Sequence, residues 1–204
     1  MPDFSLECDV QGIVAGIDEA GRGPWAGPVV AGAAILDRET LPDFLLNGLD
    51  DSKVLSAVRR EFLFEELCKS SAATLGVGLA SVEEIDTLNI LQATLLAMSR
   101  ALNDLKCSVD LALVDGNKAP KLPCAIRTIV KGDSRSLSIA AGSIVAKVTR
   151  DRLMAGLAQD FPGYGWETNQ GYGTAAHKVG LERLGVTPHH RKSFAPIRKA
   201  LEEN

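Results

Sequence analysis

Five short apolar runs alternate along the chain with segments of helical periodicity. Each run is bounded by glycine, proline or charged residues and has the length of a buried strand; the runs cover residues 12–18, 29–36, 74–80, 111–114 and 125–130. With the intervening helical segments, the order is β-β-α-β-α-β-β-α-α. The pattern predicts an α/β fold around a sheet of five strands.

The strongest helical signal follows the third run. Ser81 and Glu84 have the spacing of a capping box, and apolar residues then recur at steps of three or four, namely Ile85, Leu88, Leu91, Leu95, Met98, Leu102 and Leu105. This spacing places the apolar residues on one face of a helix. We predict one long amphipathic helix over residues 81–105.

Carboxylates follow three of the apolar runs. The first run leads into Asp18 and Glu19, the fourth into Asp115 and the fifth into Asp133. An aspartate before glycine is usually part of a turn, and Asp133 before a serine has the character of a helix cap. Three such ends in one small domain favour convergence instead, because ligands bind outside the carboxyl ends of strands in open α/β sheets. Oxygen ligands without His or Cys favour Mg²⁺ or Mn²⁺ over zinc.

Composition predicts a single cytoplasmic domain. The chain has 204 residues, of which 46% are hydrophobic, enough for one core. It contains no stretch of about 18 uncharged apolar residues, and its first eleven residues, MPDFSLECDVQ, carry no Lys or Arg. The four cysteines are widely separated, which predicts reduced, mostly packed thiols and no zinc site.

Charge is distributed unevenly along the sequence. Residues 1–117 hold 8 Lys and Arg against 19 Asp and Glu, whereas residues 118–199 hold 14 against 5, within an overall net charge of −4. If the two parts fold against each other, a basic surface flanks an acidic cluster. Such an arrangement suits a polyanion that binds to the basic surface above cations held by the acids. The alternative is that the two parts neutralise each other, and charge alone does not decide between them.

Several long motifs occur in an order that resembles a known family. They are GIDEAGRGPWAGPVVAGAAIL, DDSKVLS, LVDGN, KGDSRSLSIAAGSIVAKVTRD, FPGYGW, NQGYGTAAH and TPHHRKSFAPI. Over about residues 12 to 197 the sequence resembles type 2 ribonuclease H. The resemblance implies one ribonuclease H-like α/β domain over residues 1–204, with a five-stranded mixed sheet flanked by helices and a small helical C-terminal extension from about residue 174.

The resemblance also implies an activity. Such an enzyme cuts the RNA strand of RNA/DNA hybrids and cuts duplex DNA at single embedded ribonucleotides, leaving 3′-hydroxyl and 5′-phosphate ends. Asp18, Glu19, Asp115 and Asp133 match the four catalytic carboxylates, which hold two divalent ions, Mg²⁺ or Mn²⁺, about 3.5–4 Å apart at the scissile phosphate.

The family's substrate contacts carry over to further positions. Gly21, Arg22 and Gly23 match the loop whose backbone approaches the 2′-hydroxyl, and Tyr172 matches the tyrosine that packs on the neighbouring sugar. Further expected contacts to the substrate backbone are Ser52, Lys53, Ser143, Lys147 and His177. Arg150 lies on the same helical face as Lys147, and Asp151 is expected to pair with Lys147. His189 and His190 are expected to be surface or C-terminal packing residues.

Other classes of function explain less of the sequence. A non-catalytic nucleic-acid-binding module accounts for the basic part but not for acids that would repel phosphate. A metal-dependent phosphotransferase or phosphatase for small molecules accounts for the acids only. Single-strand exonucleases and integrases of related fold lack the GRG and GYGT pair. We expect a monomer without membrane association, and the C-terminal RKALEEN has no convincing motif for docking on a sliding clamp.

Overall fold

A computed structural model describes residues 1–202 of the chain. Its strands are β1 (Val14–Ala20), β2 (Val29–Leu36), β3 (Ala73–Ala80), β4 (Leu111–Asp115) and β5 (Ala125–Ile129). Its α-helices are α1 (Ser5–Cys8), α2 (Asp43–Leu46), α3 (Ala57–Lys69), α4 (Val82–Leu88), α5 (Ile90–Asp104), α6 (Leu137–Asp160), α7 (Trp166–Asn169), α8 (Ala175–Leu184) and α9 (Ala195–Glu202), and a 3₁₀ turn covers Gly132–Ser134.

The five strands form one mixed sheet in the order β3-β2-β1-β4-β5. β1 pairs antiparallel with β2 and parallel with β4; β2 and β3 are antiparallel, and β4 and β5 are parallel. The predicted five-stranded mixed sheet flanked by helices is therefore confirmed. The helical C-terminal extension is confirmed as well, since α8 follows its N-cap Thr174 and α9 follows α8.

Helices cover both faces of the sheet. On one face α6 approaches β1 and β2 closely, because a Cβ on Gly16 would overlap the backbone of Ser138 and one on Gly32 would overlap the carbonyl of Gly142. The core on this face includes Leu63 and Ile144, whereas the core on the other face lies beneath α5. The close contact with α6 fixes the position of β1, which carries the first two candidate carboxylates.

The predicted long helix over residues 81–105 is two helices, and this prediction was wrong in one respect. Asn89 has a φ of 69°, which interrupts the helix, and its side-chain oxygen accepts hydrogen bonds from the N–H groups of Leu91 and Gln92 at the start of α5. Asparagine tolerates positive φ and is a strong N-cap. The capping box of Ser81 and Glu84 is confirmed.

The cysteines differ in part from the prediction. All four are free, as expected, but Cys8, Cys68 and Cys107 are exposed and Cys124 is half-buried, so the expectation of mostly packed thiols was wrong. Over residues 1–202 the structure contains no helix long and apolar enough to cross a bilayer. The last two residues of RKALEEN lie outside the described residues.

Candidate active site

The sheet places the four candidate carboxylates at the same end of its strands. Asp18 and Glu19 lie within β1 and not after it, because the strand continues to Ala20. Asp115 ends the adjacent parallel strand β4, whose Val114 pairs with Ile17. The fourth acid, Asp133, follows β5 in the 3₁₀ turn. The strand pairing thus brings the backbones of these residues to the same end of the sheet.

Strand alternation decides which carboxylates share a face. Successive side chains of a strand point to opposite faces. Gly16 contacts α6, so alternation assigns Asp18 to the α6 face. Glu19 follows near the end of the strand, where it lines the same cleft as Asp18. Leu113 packs with Ile139 of α6, so Asp115 shares the face of Asp18.

Backbone amides fix the orientation of three of these acids. The Asp18 Oδ1 accepts from the N–H of Glu19 at 2.7 Å, and the Asp115 Oδ1 accepts from the N–H of Gly132 at 2.6 Å. The Asp133 Oδ1 accepts from the N–H of Ser134 at 2.9 Å. The second oxygen of Asp133 accepts from the Lys53 Nζ.

Burial and mutual repulsion raise the pKa of three acids. The pKa of Asp18 lies well above its usual value, first because the carboxyl is buried and then because the charges of Glu19 and Asp115 oppose its ionisation. Burial also raises the pKa of Glu19, against the opposing effect of Arg22. The pKa of Asp133 is raised by burial and by the charge of Asp51, with Lys53 opposing. The cluster therefore stabilises a cation placed beside it.

Two exposed basic side chains lie beside the candidate carboxylates. The Arg22 Nη1 lies 3.2 Å from the Glu19 Oε1, and the Lys53 Nζ lies 3.3 Å from the Asp133 Oδ2. Their side chains are 52% and 74% exposed, so both can move away without breaking the core. Exposed pairs of this kind contribute little to stability.

The donor set fits hard divalent cations, although its side chains are not gathered at one point. Within residues 1–202 no three His, Cys, Asp or Glu side chains are close enough together to hold an ion. Glu19 and Asp133 are instead paired with the basic side chains of Arg22 and Lys53. The chemistry of the donors still suits Mg²⁺ or Mn²⁺, which prefer carboxylate oxygens, and the raised pKa values of Asp18, Glu19 and Asp133 favour a cation beside them.

The predicted ribose-recognition residues line the same cleft as three of the four acids. The cleft has a volume of about 250 Å³, and its lining residues include Asp18, Glu19, Gly21, Arg22, Gly23, Ser52, Lys53, Asp115, Lys147 and Tyr172. The Tyr172 side chain is exposed, and its Cε1 would lie 3.3 Å from a Cβ on Gly23. A side chain at position 23 would therefore crowd the ring.

Ser52, Ser143 and Lys147 differ in their access to the cleft. Ser143 is buried, and its hydroxyl accepts from the N–H of Ser52 at 3.3 Å; the expectation that it contacts substrate is replaced by a role in supporting that loop. Lys147 is half-buried, and its Nζ forms the expected ion pair with Asp151 at 2.6 Å.

His177 was expected to contact the substrate backbone, and the structure instead encloses it. Its ring is fully buried; the Nδ1 lies 3.0 Å from the carbonyl oxygen of Tyr172, and the Nε2 lies 3.0 Å from the Nε2 of His190. The Trp166 Nε1 donates to the same His177 nitrogen at 3.1 Å. Burial lowers the pKa of both histidines, that of His190 to about 3. His177 therefore packs beneath Tyr172, and the packing role expected of His190 is confirmed.

The sequence did not identify Arg191 as part of the site. Its buried guanidinium hydrogen-bonds to the carbonyl oxygens of Gly21 and Arg22. Arg150, considered as a phosphate contact, is also buried. The burial of both arginines depends on tertiary packing, which the sequence does not show. The available signal was that both lie within the quoted motifs.

The raised pKa of Asp18 leads to a prediction for the metal-free protein. Because the pKa of Asp18 is raised in the folded state, the free-energy cost of its charge is absent below the unfolded pKa of about 3.8. It grows as the pH rises from there to the folded pKa and is constant above that value. Asp18→Asn removes the charge at every pH. In a chelating buffer, the melting temperature of Asp18→Asn minus that of the wild type should therefore increase from about pH 4 towards neutral pH.

The control for this measurement is Asp160→Asn, which changes an exposed carboxylate at the end of α6. Its difference in melting temperature should not vary with pH. A pH-independent difference for Asp18→Asn would contradict the assigned electrostatic strain.

A family model and sequence relatives of this chain point to the same protein family. The family model described as Ribonuclease HII matches residues 15–197. The ribonuclease HII of Rhodospirillum rubrum is 61% identical over 201 residues, which cover 98% of this chain and 92% of that protein.

Solved structures agree with this comparison. The ribonuclease H2 of Pyrococcus horikoshii OT3 superposes with a TM-score of 0.77 at 30% identity, covering 94% of this chain and 98% of that one. Bst-RNase HIII in complex with Mn²⁺ has a TM-score of 0.73 at 19% identity, covering 94% of this chain and 70% of that one. The latter similarity concerns the fold alone.

Proposed function

Since the chain belongs to the ribonuclease HII family, we propose that it hydrolyses the RNA strand of RNA/DNA hybrids and cuts duplex DNA at single embedded ribonucleotides. As a member of that family it is a metal-dependent endoribonuclease. The observation that supports the finer proposal is the shared cleft, in which three of the acids, Asp18, Glu19 and Asp115, lie beside Gly21, Arg22, Gly23 and Tyr172. Cleavage would leave 3′-hydroxyl and 5′-phosphate ends.

In this proposal Asp18, Glu19, Asp115 and Asp133 hold two divalent cations, Mg²⁺ or Mn²⁺. Such cations would activate a water nucleophile and stabilise negative charge on the leaving 3′-oxygen. The chain's own contribution is to keep the carboxylates oriented through the amides of Glu19, Gly132 and Ser134. Preorganised charges stabilise the transition state without reorganising during the reaction.

Ribose recognition is assigned to the loop and the tyrosine. Gly21 has a φ of 98°, a conformation that favours glycine, and the exposed Gly23 leaves room for a sugar beside the Tyr172 ring. The 2′-hydroxyl is the group that separates RNA from DNA at the cut. Lys53 and the largely buried Ser52 line the cleft, with Lys53 beside Asp133, and both would contact the substrate backbone. One chain supplies all these residues, and we propose that it acts as a monomer.

Two other classes of function fit the site less well. A binding module without catalysis gives no reason to bury several carboxylates with raised pKa values beside a phosphate-binding surface. A small-molecule phosphatase gives no reason for the exposed Tyr172 beside the glycine loop.

The proposed function can be tested with labelled duplexes. The substrates are a duplex with one ribonucleotide, an RNA/DNA hybrid and an all-DNA duplex of the same sequence, each with Mg²⁺, Mn²⁺ or chelator. We expect metal-dependent cuts in the first two and none in the third. Cleavage of the all-DNA duplex, or cleavage in chelator, would contradict the proposal.

Lys147→Ala is expected to weaken substrate binding independently of base sequence. Removal of one phosphate contact should reduce the slope of log K against log salt by about 0.9, the value for one neutralised phosphate. The slope is measured by fluorescence anisotropy over a series of salt concentrations.

The matched control is Asp151→Asn, which removes the ion-pair partner of Lys147 and keeps the lysine. This variant should bind at least as tightly as the wild type. An unchanged salt slope in Lys147→Ala would assign Lys147 to an ordinary solvated surface.

A further inference from the structure

Two arginine side chains are buried beneath the loop of residues 21–28. Arg150 on α6 and Arg191 after α8 are both almost completely excluded from solvent. Among residues 1–202, no carboxylate lies within ion-pair distance of either guanidinium. Burying two neighbouring cations with no carboxylate in direct contact is costly, even though the more distant charge of Asp86 favours the charged form of Arg191.

Their hydrogen bonds all go to backbone carbonyls of the loop and of the segment before Tyr172. Arg191 donates to the carbonyl oxygens of Gly21 (2.6 Å), Arg22 (3.0 Å), Gly27 (2.9 Å) and Pro28 (3.2 Å). Arg150 donates to those of Ala26 (3.1 Å), Pro28 (3.0 Å) and Gln170 (3.0 Å). The loop and the Tyr172 segment are therefore joined through one pair of guanidinium groups.

This arrangement determines where the loop's amides point. In a trans peptide the carbonyl of one residue and the N–H of the next point in opposite directions, and the described chain has no cis peptide. Because the carbonyls of Gly21 and Arg22 face Arg191, the N–H groups of Arg22 and Gly23 face away from it. Over residues 1–202 neither N–H donates to a protein acceptor, and both residues line the cleft.

We propose that Arg150 and Arg191 are positioning residues for ribonucleotide recognition: by holding the carbonyls of the loop and of Gln170, they aim the Arg22 and Gly23 amides into the cleft beside Tyr172. Consecutive outward amides form a concave donor site for an anionic or lone-pair oxygen. The two buried positive charges beneath it add a favourable field for a phosphate. This inference rests on the proposed function, since it explains how that site distinguishes ribose.

Arg191→Lys tests this role, because lysine keeps the charge but cannot reach four carbonyls. We expect kcat/KM on a duplex with one ribonucleotide to fall by about 10²-fold, the effect of a displacement of about 1 Å. On a long RNA/DNA hybrid, which offers many registers, the loss should be about tenfold smaller. The inhibition constant of an all-DNA duplex should change less than about threefold, because Lys147 and other backbone contacts are retained.

Ile144→Ala controls for lost stability, since it opens a cavity in the core on the α6 face without touching the loop. This variant should keep the wild-type ratio of the two activities at a similarly lowered melting temperature. Arg150→Lys is the second test if Arg191→Lys does not fold, and the same selective loss is expected from it.

The two levels of the hypothesis fail differently. A wild-type enzyme that cuts the single-ribonucleotide duplex, together with lysine variants that lose both activities equally or neither, would overturn the positioning role alone. A wild-type enzyme that does not cut that duplex would overturn the proposed function and the positioning role with it.

Discussion

Asp18→Asn is expected to abolish cleavage of an RNA/DNA hybrid, lowering kcat by about 10³-fold or more, because several kcal/mol of transition-state stabilisation depend on a charged metal ligand. Asp115→Asn should behave alike, since Asp115 shares the α6 face with Asp18. The asparagine retains the size of the side chain and one oxygen, so the fold should persist. Single-turnover cleavage at saturating Mg²⁺, followed on a gel, measures the loss.

Binding separates a catalytic defect from a folding defect. In chelator, the affinity of Asp18→Asn for the hybrid should equal or exceed that of the wild type, because a buried negative charge near the phosphates has been removed. Asp160→Asn, with its exposed carboxylate, should cut at the wild-type rate. Near wild-type turnover by Asp18→Asn or Asp115→Asn would show that these acids do not hold the metal.

The position of the candidate carboxylates at one end of the sheet could be predicted from the sequence because its signals are local. An apolar run that leads into an acid indicates both a buried strand and the position of its carboxylate, as for Asp115 at the end of β4. Strand pairing then brings the runs together, since parallel neighbours end on the same side of the sheet. No local signal showed that β1 extends past Glu19 to Ala20.

The errors concern burial, which depends on distant packing. The sequence around His177 is polar and glycine-rich, yet Trp166 and His190 enclose the ring. Ser143 is buried against the loop of Ser52, and a serine gives no hydrophobic signal of that placement. The break at Asn89 involves one left-handed residue within an otherwise continuous apolar pattern, so periodicity alone did not reveal it.

The uneven charge along the chain has two consequences in the fold. Some pairs between the two parts neutralise each other, as Arg127 does with Asp9 and Arg152 with Glu61. These pairs are on the surface and away from the cleft. Within the cleft, Lys147 lies beside the acids but pairs with Asp151 from its own helix. The basic part of the chain therefore does not neutralise the acids of β1 and β4, which favours bound cations as their partners.

Tyr172→Ala is expected to give the second large effect, on the choice of substrate. Loss of an aromatic ring that stacks on a nucleotide costs about 1–3 kcal/mol, so kcat/KM on a single embedded ribonucleotide should fall by roughly tenfold to a hundredfold. Tyr172→Phe keeps the ring and removes only the hydroxyl. Its cost should be that of one hydrogen bond, about 0.5–1.5 kcal/mol.

A comparison of the loss in kcat/KM of Tyr172→Ala on the two substrates decides whether the Tyr172 ring selects the ribonucleotide. A long hybrid offers many registers, whereas a lone ribonucleotide permits one productive placement, so the loss should be larger on the single ribonucleotide. The Tyr172 side chain is 49% exposed, and its removal should leave the melting temperature nearly unchanged, which makes the comparison free of folding effects. Equal losses on both substrates would mean that Tyr172 supports general binding or catalysis, and the choice of ribose would then rest on the amides of Arg22 and Gly23.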